Sequence, residues 1–324
     1  MSNALKPTSF IGTAPQFVTW NYTYRCNFNC SHCYSRADRY PQEASEANYR
    51  DFCRQLIEAG VFRVALGGGE VLLRDDHLKT IGALSTAGIE VMLTTNGWTL
   101  TPPHARALAN AGLSALYVSL DGSNAETHDR TRRQPGSFER ACITAKLASE
   151  VGVNTKLSVV LSKTNFTQID EILRIANNIP NLKEVNFKRF RPAGNGLINR
   201  SEFDLNDSDL LEIERILVLA KSVYSFDISL NFGPEPGEID SGCSCGITSI
   251  ALRPNGDVGL CSYSEHILGN LTKEALIDIW QGSPVLLLKR KGLNCAALHA
   301  QPAPSMPGNP QKVQRVQLQP LLKS

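Results

Sequence analysis

"YRCNFNCSHCYSRAD" spans residues 24 to 38 and places Cys26, Cys30 and Cys33 within eight positions. No fourth cysteine lies nearby, so the spacing leaves two readings open. Structural zinc takes a closed tetrahedral ligand set, which would need His32 or a distant residue as the fourth ligand. A 4Fe-4S cluster takes one thiolate per iron, so three cysteines leave one iron open for a non-protein ligand.

The cysteine run directly follows "FVTWNYTY" (17–24), a stretch rich in the aromatic and branched residues of a buried strand. Five more such stretches follow: "RVALGG" (63–68), "EVMLTTNG" (90–97), "ALYVSLDG" (115–122), "TKLSVVLS" (155–162) and "EVNFKRF" (184–190). Helical periodicity lies between them at 46–60, 102–112, 137–152 and 165–179, with Gly60, Gly112 and Gly152 where C-terminal caps belong. Six strand–helix units predict a parallel sheet with right-handed crossovers, a partial (β/α)6 TIM-like barrel over 14–200. In that fold the working residues gather at the C-terminal strand ends. Cys26, Gly67 to Glu70, Asn96 and Asp121 all follow strands in this way.

A helical linker is expected over 201–240, where "SEFDLNDSDLLEIERILVLAKSVYS" (about 200–225) reads as a helix with an Asp-rich start and a Gly/Pro stretch at 231–242 marks a boundary. A small cysteine-bearing module is expected at 241–297, and the Pro- and Gln-rich tail at 298–324 reads as disordered.

Composition limits the alternatives. The net charge is +2, from 33 Lys and Arg against 31 Asp and Glu, which gives no electrostatic reason to expect nucleic acid or a membrane surface as partner. "MSNALKPTSFIGTAPQF" has no basic segment followed by an apolar one, and no apolar run approaches the roughly 20 residues of a membrane span. The expected location is cytoplasmic, where nine cysteines favour metal or redox use over disulfides.

The C-x3-C-x2-C run after the first strand resembles the signature of the radical S-adenosylmethionine (SAM) superfamily. "LGGGEVL" (66–72) is similar to that family's glycine-rich turn, although Val71 stands where the family often has Pro. "YVSLDGSNAETHDRTRRQPGSFERA" (117–141) resembles its fourth strand and following loop, with Arg132-Arg133 where Arg-Gly is common. The resemblance implies a 4Fe-4S cluster on Cys26, Cys30 and Cys33, with SAM on the open iron. Electron transfer from the cluster would then yield a 5′-deoxyadenosyl radical that abstracts hydrogen. It further implies SAM contacts at His32 near the adenine, Gly68, Gly69 and Glu70 at the methionine amine, and Ser119 and Asp121 near the ribose or substrate; Lys156, on the fifth strand, is a further candidate for the SAM carboxylate. A flavodoxin or ferredoxin is the implied electron donor.

"CGITSIALRPNGDVGLC" (245–261) resembles the opening hairpin of the SPASM and Twitch auxiliary domains. Cys243, Cys245, Cys261 and Cys295 would hold one auxiliary 4Fe-4S cluster in a Twitch-type β-hairpin/helix module, with a zinc site on the same residues as the alternative. Lys188, Arg189 and Arg191, at the end of the sixth strand, are candidates for contacting a substrate carboxylate or phosphate, or one of them holds the SAM carboxylate while the others are solvated. The expected substrate is a small polar metabolite, a sugar or nucleoside intermediate of natural-product tailoring, which is dehydrogenated, epimerised or decarboxylated. Modification of a ribosomal peptide is the competing reading. A non-enzymatic iron–sulfur scaffold would leave the glycine-rich turn without a purpose.

Overall fold

The computed structural model describes residues 12–35, 42–231, 243–264 and 266–290. Its strands are β1 (Phe17–Thr23), β2 (Arg63–Gly68), β3 (Glu90–Thr95), β4 (Ala115–Ser119), β5 (Thr155–Leu161), β6 (Glu184–Arg189), β7 (Asp227–Asn231), β8 (Ser249–Leu252), β9 (Asp257–Gly259) and β10 (Ile267–Asn270). The helices are α1 (Glu46–Glu58), α2 (His77–Thr86), α3 (Pro102–Asn110), α4 (Ala125–Arg132), α5 (Ser137–Glu150), α6 (Ile169–Asn177), α7 (Asn195–Ile198), α8 (Arg200–Phe203), α9 (Asp207–Ala220), α10 (Leu276–Gly282) and α11 (Pro284–Arg290).

All six expected strands form, and β1 to β7 pair in parallel in chain order. The fold is a mixed α/β partial barrel. From β1 to β6, one face of the strand is apolar and buried, as with Val64 and Leu66 on β2 or Val185 and Phe187 on β6. The other face is half-buried and more polar, and it lines the lumen. Behind β1, the rings of Trp20, Tyr22, Tyr49 and Phe52 pack at centroid distances of 5.0 to 6.1 Å. The Arg74 guanidinium lies 3.8 Å from the Tyr49 ring centroid and pairs with Asp76 and Glu43. This network fixes the strand that carries the cysteine loop.

Three features depart from the sequence-based expectation. The span expected as a helical linker also contributes β7, which extends the sheet. The segment after β4, expected as a loop, contains α4. The auxiliary hairpin is also no separate sheet: β8 pairs in parallel with β1, from Phe17↔Ser249 to Trp20↔Leu252, so one ten-stranded sheet runs from β10 to β7. The free edge of β1 satisfies its backbone groups in this way.

Candidate functional site

The cysteine loop leaves β1 and is held from three sides. The glycine-rich turn after β2 donates from Gly69 N to Thr23 O at 2.7 Å and from Glu70 N to Arg25 O at 2.9 Å. A Cβ on Gly69 would come within 2.2 Å of Arg25 O, so no other residue fits. From α7 and its C-cap, Gly196 N donates to Cys33 O (3.1 Å), Asn195 Nδ2 to Cys30 O (3.1 Å) and Asn199 Nδ2 to Ser31 O (2.9 Å). From α4, Thr131 O accepts from Ser31 N at 2.9 Å and Arg133 Nε donates to Ser31 Oγ at 2.8 Å.

This clasp gathers the three thiols. Burial pushes the Cys30 thiol up to about 12 and Cys33 up to about 11, with neighbouring cysteines adding to both and Arg132 opposing. Cys26 is raised too, chiefly by burial. Among the described residues no three His, Cys, Asp or Glu side chains converge closely enough to hold one metal ion. Three mutually interacting thiols spread along a loop suit a cluster that gives each thiolate its own iron better than they suit a single zinc.

The expected SAM contacts divide into two groups. Gly68 and Gly69 sit at the end of β2 against residues 23–25, and Ser119 ends β4 in register with Ser158 of β5. Four others are engaged by the protein itself. The Glu70 carboxylate is buried and accepts from Thr95 Oγ1 (2.9 Å), Asn96 N (2.8 Å) and Leu72 N (3.2 Å), so it ties β2 to β3. Burial raises its pKa against those bonds. Asp121 is fully buried, with Oδ2 taken by Arg132 and by His32 Nε2 at 3.0 Å, and Oδ1 taken by Val160 N at 2.8 Å. The expected ribose contact is thus an internal hub. Burial works against its charge, but Arg132 and His32 hold the carboxyl well below its usual range. Among the described residues, His32 Nδ1 is buried without a hydrogen-bond partner, as is His128 Nε2. These unspent ring nitrogens leave hydrogen-bonding capacity for a polar ligand.

Lys156 is a correction. It is the second residue of β5, roughly 16 Å of strand from the C-terminal end, and it pairs with Glu184 Oε2 at 2.7 Å. The register Lys156↔Glu184 places it at the opposite end of the lumen from the cysteines.

The three candidate substrate cations also separate. Lys188 shares the lumen face with Glu184 and Asn186, and its Nζ lies 5.7 Å from the Tyr117 ring centroid. Asp121 and Glu184 are the carboxylates that act on it, and both already have donors. Burial lowers its pKa. Arg189 ends β6 opposite Leu161. Arg191 acts on Tyr263, in the auxiliary segment.

In that segment Cys245 contacts both Cys243 and Cys261. Contact with Cys243 pulls the Cys245 thiol down, but contact with Cys261 and burial outweigh it, and the thiol is pushed up to about 12. Cys295 lies outside the described residues. The Tyr34 ring meets Tyr263 edge-on, centroids 5.2 Å apart, and the Cys261, Cys245 and Cys33 thiols all act on the Tyr263 hydroxyl. This aromatic pair, missed in the sequence, lies within electrostatic reach of thiols from both cysteine groups.

Comparison with known proteins agrees with this arrangement. The radical SAM superfamily matches residues 20–176, and the SPASM iron–sulfur cluster-binding domain matches 243–297. The chain is 31% identical over 282 residues to mycofactocin maturase MftC of Mycolicibacterium smegmatis, covering 83% of this chain and 71% of that one. It is 26% identical to AdoMet-dependent heme synthase of Methanosarcina barkeri, covering 84% of each. Streptococcus suis SuiB bound to its precursor peptide SuiA shares the fold at a TM-score of 0.73 and 18% identity, over 86% of this chain and 67% of that one. A clasped three-cysteine loop on a partial barrel, the sequence match and the second cysteine group lead to one conclusion: the chain is a radical SAM enzyme with a C-terminal SPASM iron–sulfur domain, and its cofactors are 4Fe-4S clusters and SAM.

Proposed function

We propose that this enzyme is a maturase that modifies a ribosomally made peptide. The observation that carries the reading is the 31% identity to a maturase across 282 residues, which span both the barrel and the auxiliary segment. SuiB, of the same fold, has been crystallised with a precursor peptide. This replaces the expected sugar or nucleoside intermediate with a peptide as substrate.

Within this reading Cys26, Cys30 and Cys33 hold the cluster that meets SAM, and Cys243, Cys245, Cys261 and Cys295 hold the auxiliary one. Bound there, cluster and SAM supply a radical that abstracts hydrogen. The chain's own residues shape the chamber. Gly68, Gly69 and Ser119 line the SAM side, and Lys188 offers an ammonium to a substrate carboxylate inside the polar lumen. Flavodoxin or ferredoxin is the proposed electron source.

A second reading, a non-peptide substrate, is favoured by the heme synthase, which aligns over 84% of both chains. The two separate in one assay. The reconstituted enzyme, SAM and reductant are incubated anaerobically with short peptides encoded beside its gene, or with a tetrapyrrole. A peptide mass change matched by 5′-deoxyadenosine supports the maturase. Turnover of the tetrapyrrole with all peptides unchanged refutes it.

A further inference from the structure

Helix α4 ends in a conformation that its terminal residue resists. Arg133 has φ 53° and ψ 37°, in the left-handed region, where a side chain costs energy and glycine does not. Among the described residues only one other non-glycine has positive φ, Asn181, a residue type that tolerates this conformation. Arginine at 133 therefore needs a reason.

Its side chain supplies one. Among the described residues the Arg133 guanidinium has a single hydrogen-bond partner, Ser31 Oγ, with Nε donating at 2.8 Å. Ser31 is only 6% exposed and stands between Cys30 and Cys33. Every polar atom of Ser31 is held. Its N–H goes to Thr131 O, its carbonyl accepts from Asn199 Nδ2, and its hydroxyl accepts from Arg133. The residue before Arg133 completes the grip, because Arg132 binds Asp121 and Asp121 accepts from His32. Residues 131, 132 and 133 thus hold residues 31 and 32.

We propose that Arg133 is a positioning residue that braces the Cys30–Cys33 turn for the cluster. The strained backbone turns its guanidinium onto the loop. Strain and one hydrogen bond from an exposed arginine are of similar size, so the bond brings the folded chain little net stability. Its benefit lies in the shape of the cysteine turn. The proposal rests on assigning the SAM-binding cluster to Cys26, Cys30 and Cys33.

The brace makes stability and cluster retention move in opposite directions. In Arg133→Gly the strain is relieved, so the cluster-free protein should melt at the same or a higher temperature. The loaded protein should lose the barrel cluster faster to a ferrous-iron chelator, by about tenfold, the loss expected for one charged hydrogen bond. Decay of the reduced cluster's paramagnetic resonance signal, in the part that SAM perturbs, isolates that cluster from the auxiliary one. Ser31→Ala should reproduce the faster loss without the thermal gain, and the double variant should be no worse than either single one. Unchanged retention in Arg133→Gly, or independent additive losses, overturns the brace. Absence of any SAM-perturbed signal from the unmodified enzyme refutes the cluster assignment itself and the brace with it.

Discussion

Two nitrogens of Arg132, Nε at 2.9 Å and Nη2 at 2.6 Å, converge on a single oxygen of Asp121, and both side chains are buried. The same oxygen accepts from His32, between the second and third cysteines. Strand β5 supplies a backbone donor to the other oxygen. One carboxylate therefore joins β4, β5, α4 and the cysteine loop, and its charge is matched only while Arg132 stays in place.

Removing one partner of such a pair strands the other charge in the interior. Asp121→Asn should destabilise the protein by about 3 kcal/mol or more, read as a lower urea midpoint with the slope unchanged. Replacing both together, as Asp121→Asn with Arg132→Met, should cost less than the sum of the single changes. Additive losses would contradict a coupled pair.

His128 makes the same region acid-sensitive. The Asp121 backbone N–H donates to its Nδ1 at 3.0 Å, which keeps the ring proton on Nε2. Burial, helped by Arg132, holds its pKa down to about 4 against an ordinary 6.5. The unfolded chain thus takes up this proton first as pH falls. The contribution is complete above pH 6.5 and is lost progressively toward pH 4, about 3 kcal/mol in all. Urea midpoints at pH 7.5 and pH 5 should differ in that sense. His128→Asn should flatten the difference, leaving a residue from His104, whose pKa burial also lowers. A His128→Asn slope equal to that of the unmodified chain would exclude His128 as the cause.

Lys188 tests the substrate chamber. If its ammonium receives a substrate carboxylate, Lys188→Met should weaken substrate binding about tenfold or more. Cleavage of SAM in the absence of substrate should stay within about twofold, a difference too small to reflect a lost charged hydrogen bond. Equal substrate affinity in the two proteins would remove Lys188 from this role, and a matching loss of SAM affinity would move it to the SAM carboxylate.

The sequence disclosed the barrel because β1 to β6 bury one apolar face each, and apolar strand patterns are readable without partners. Cys26, Cys30 and Cys33 were legible because their spacing is itself the chemistry. Helix α4 was not, since its buried face is Thr127, His128, Thr131 and Arg132, with no apolar periodicity to see. The fate of Asp121 depends on Arg132, eleven residues on, and on Val160, 39 residues on, pairings that only the fold creates. Lys156 was misplaced for a related reason. Its position along β5 and the register with β6 set it beside Glu184, at the wrong end of the lumen for SAM. The pairing of β8 with β1 joins residues more than two hundred positions apart, and no local signal reports it.

The most direct measurement is anaerobic reconstitution of the full chain and of its Cys30→Ala variant. Iron and sulfide are counted per chain, then dithionite and SAM are added and 5′-deoxyadenosine is assayed. The account predicts about eight irons for two 4Fe-4S clusters and 5′-deoxyadenosine from the unmodified chain. The variant should hold about four irons, in the auxiliary cluster alone, and form no 5′-deoxyadenosine. Full 5′-deoxyadenosine formation by the variant would contradict the assignment of the SAM-cleaving cluster to the clasped loop.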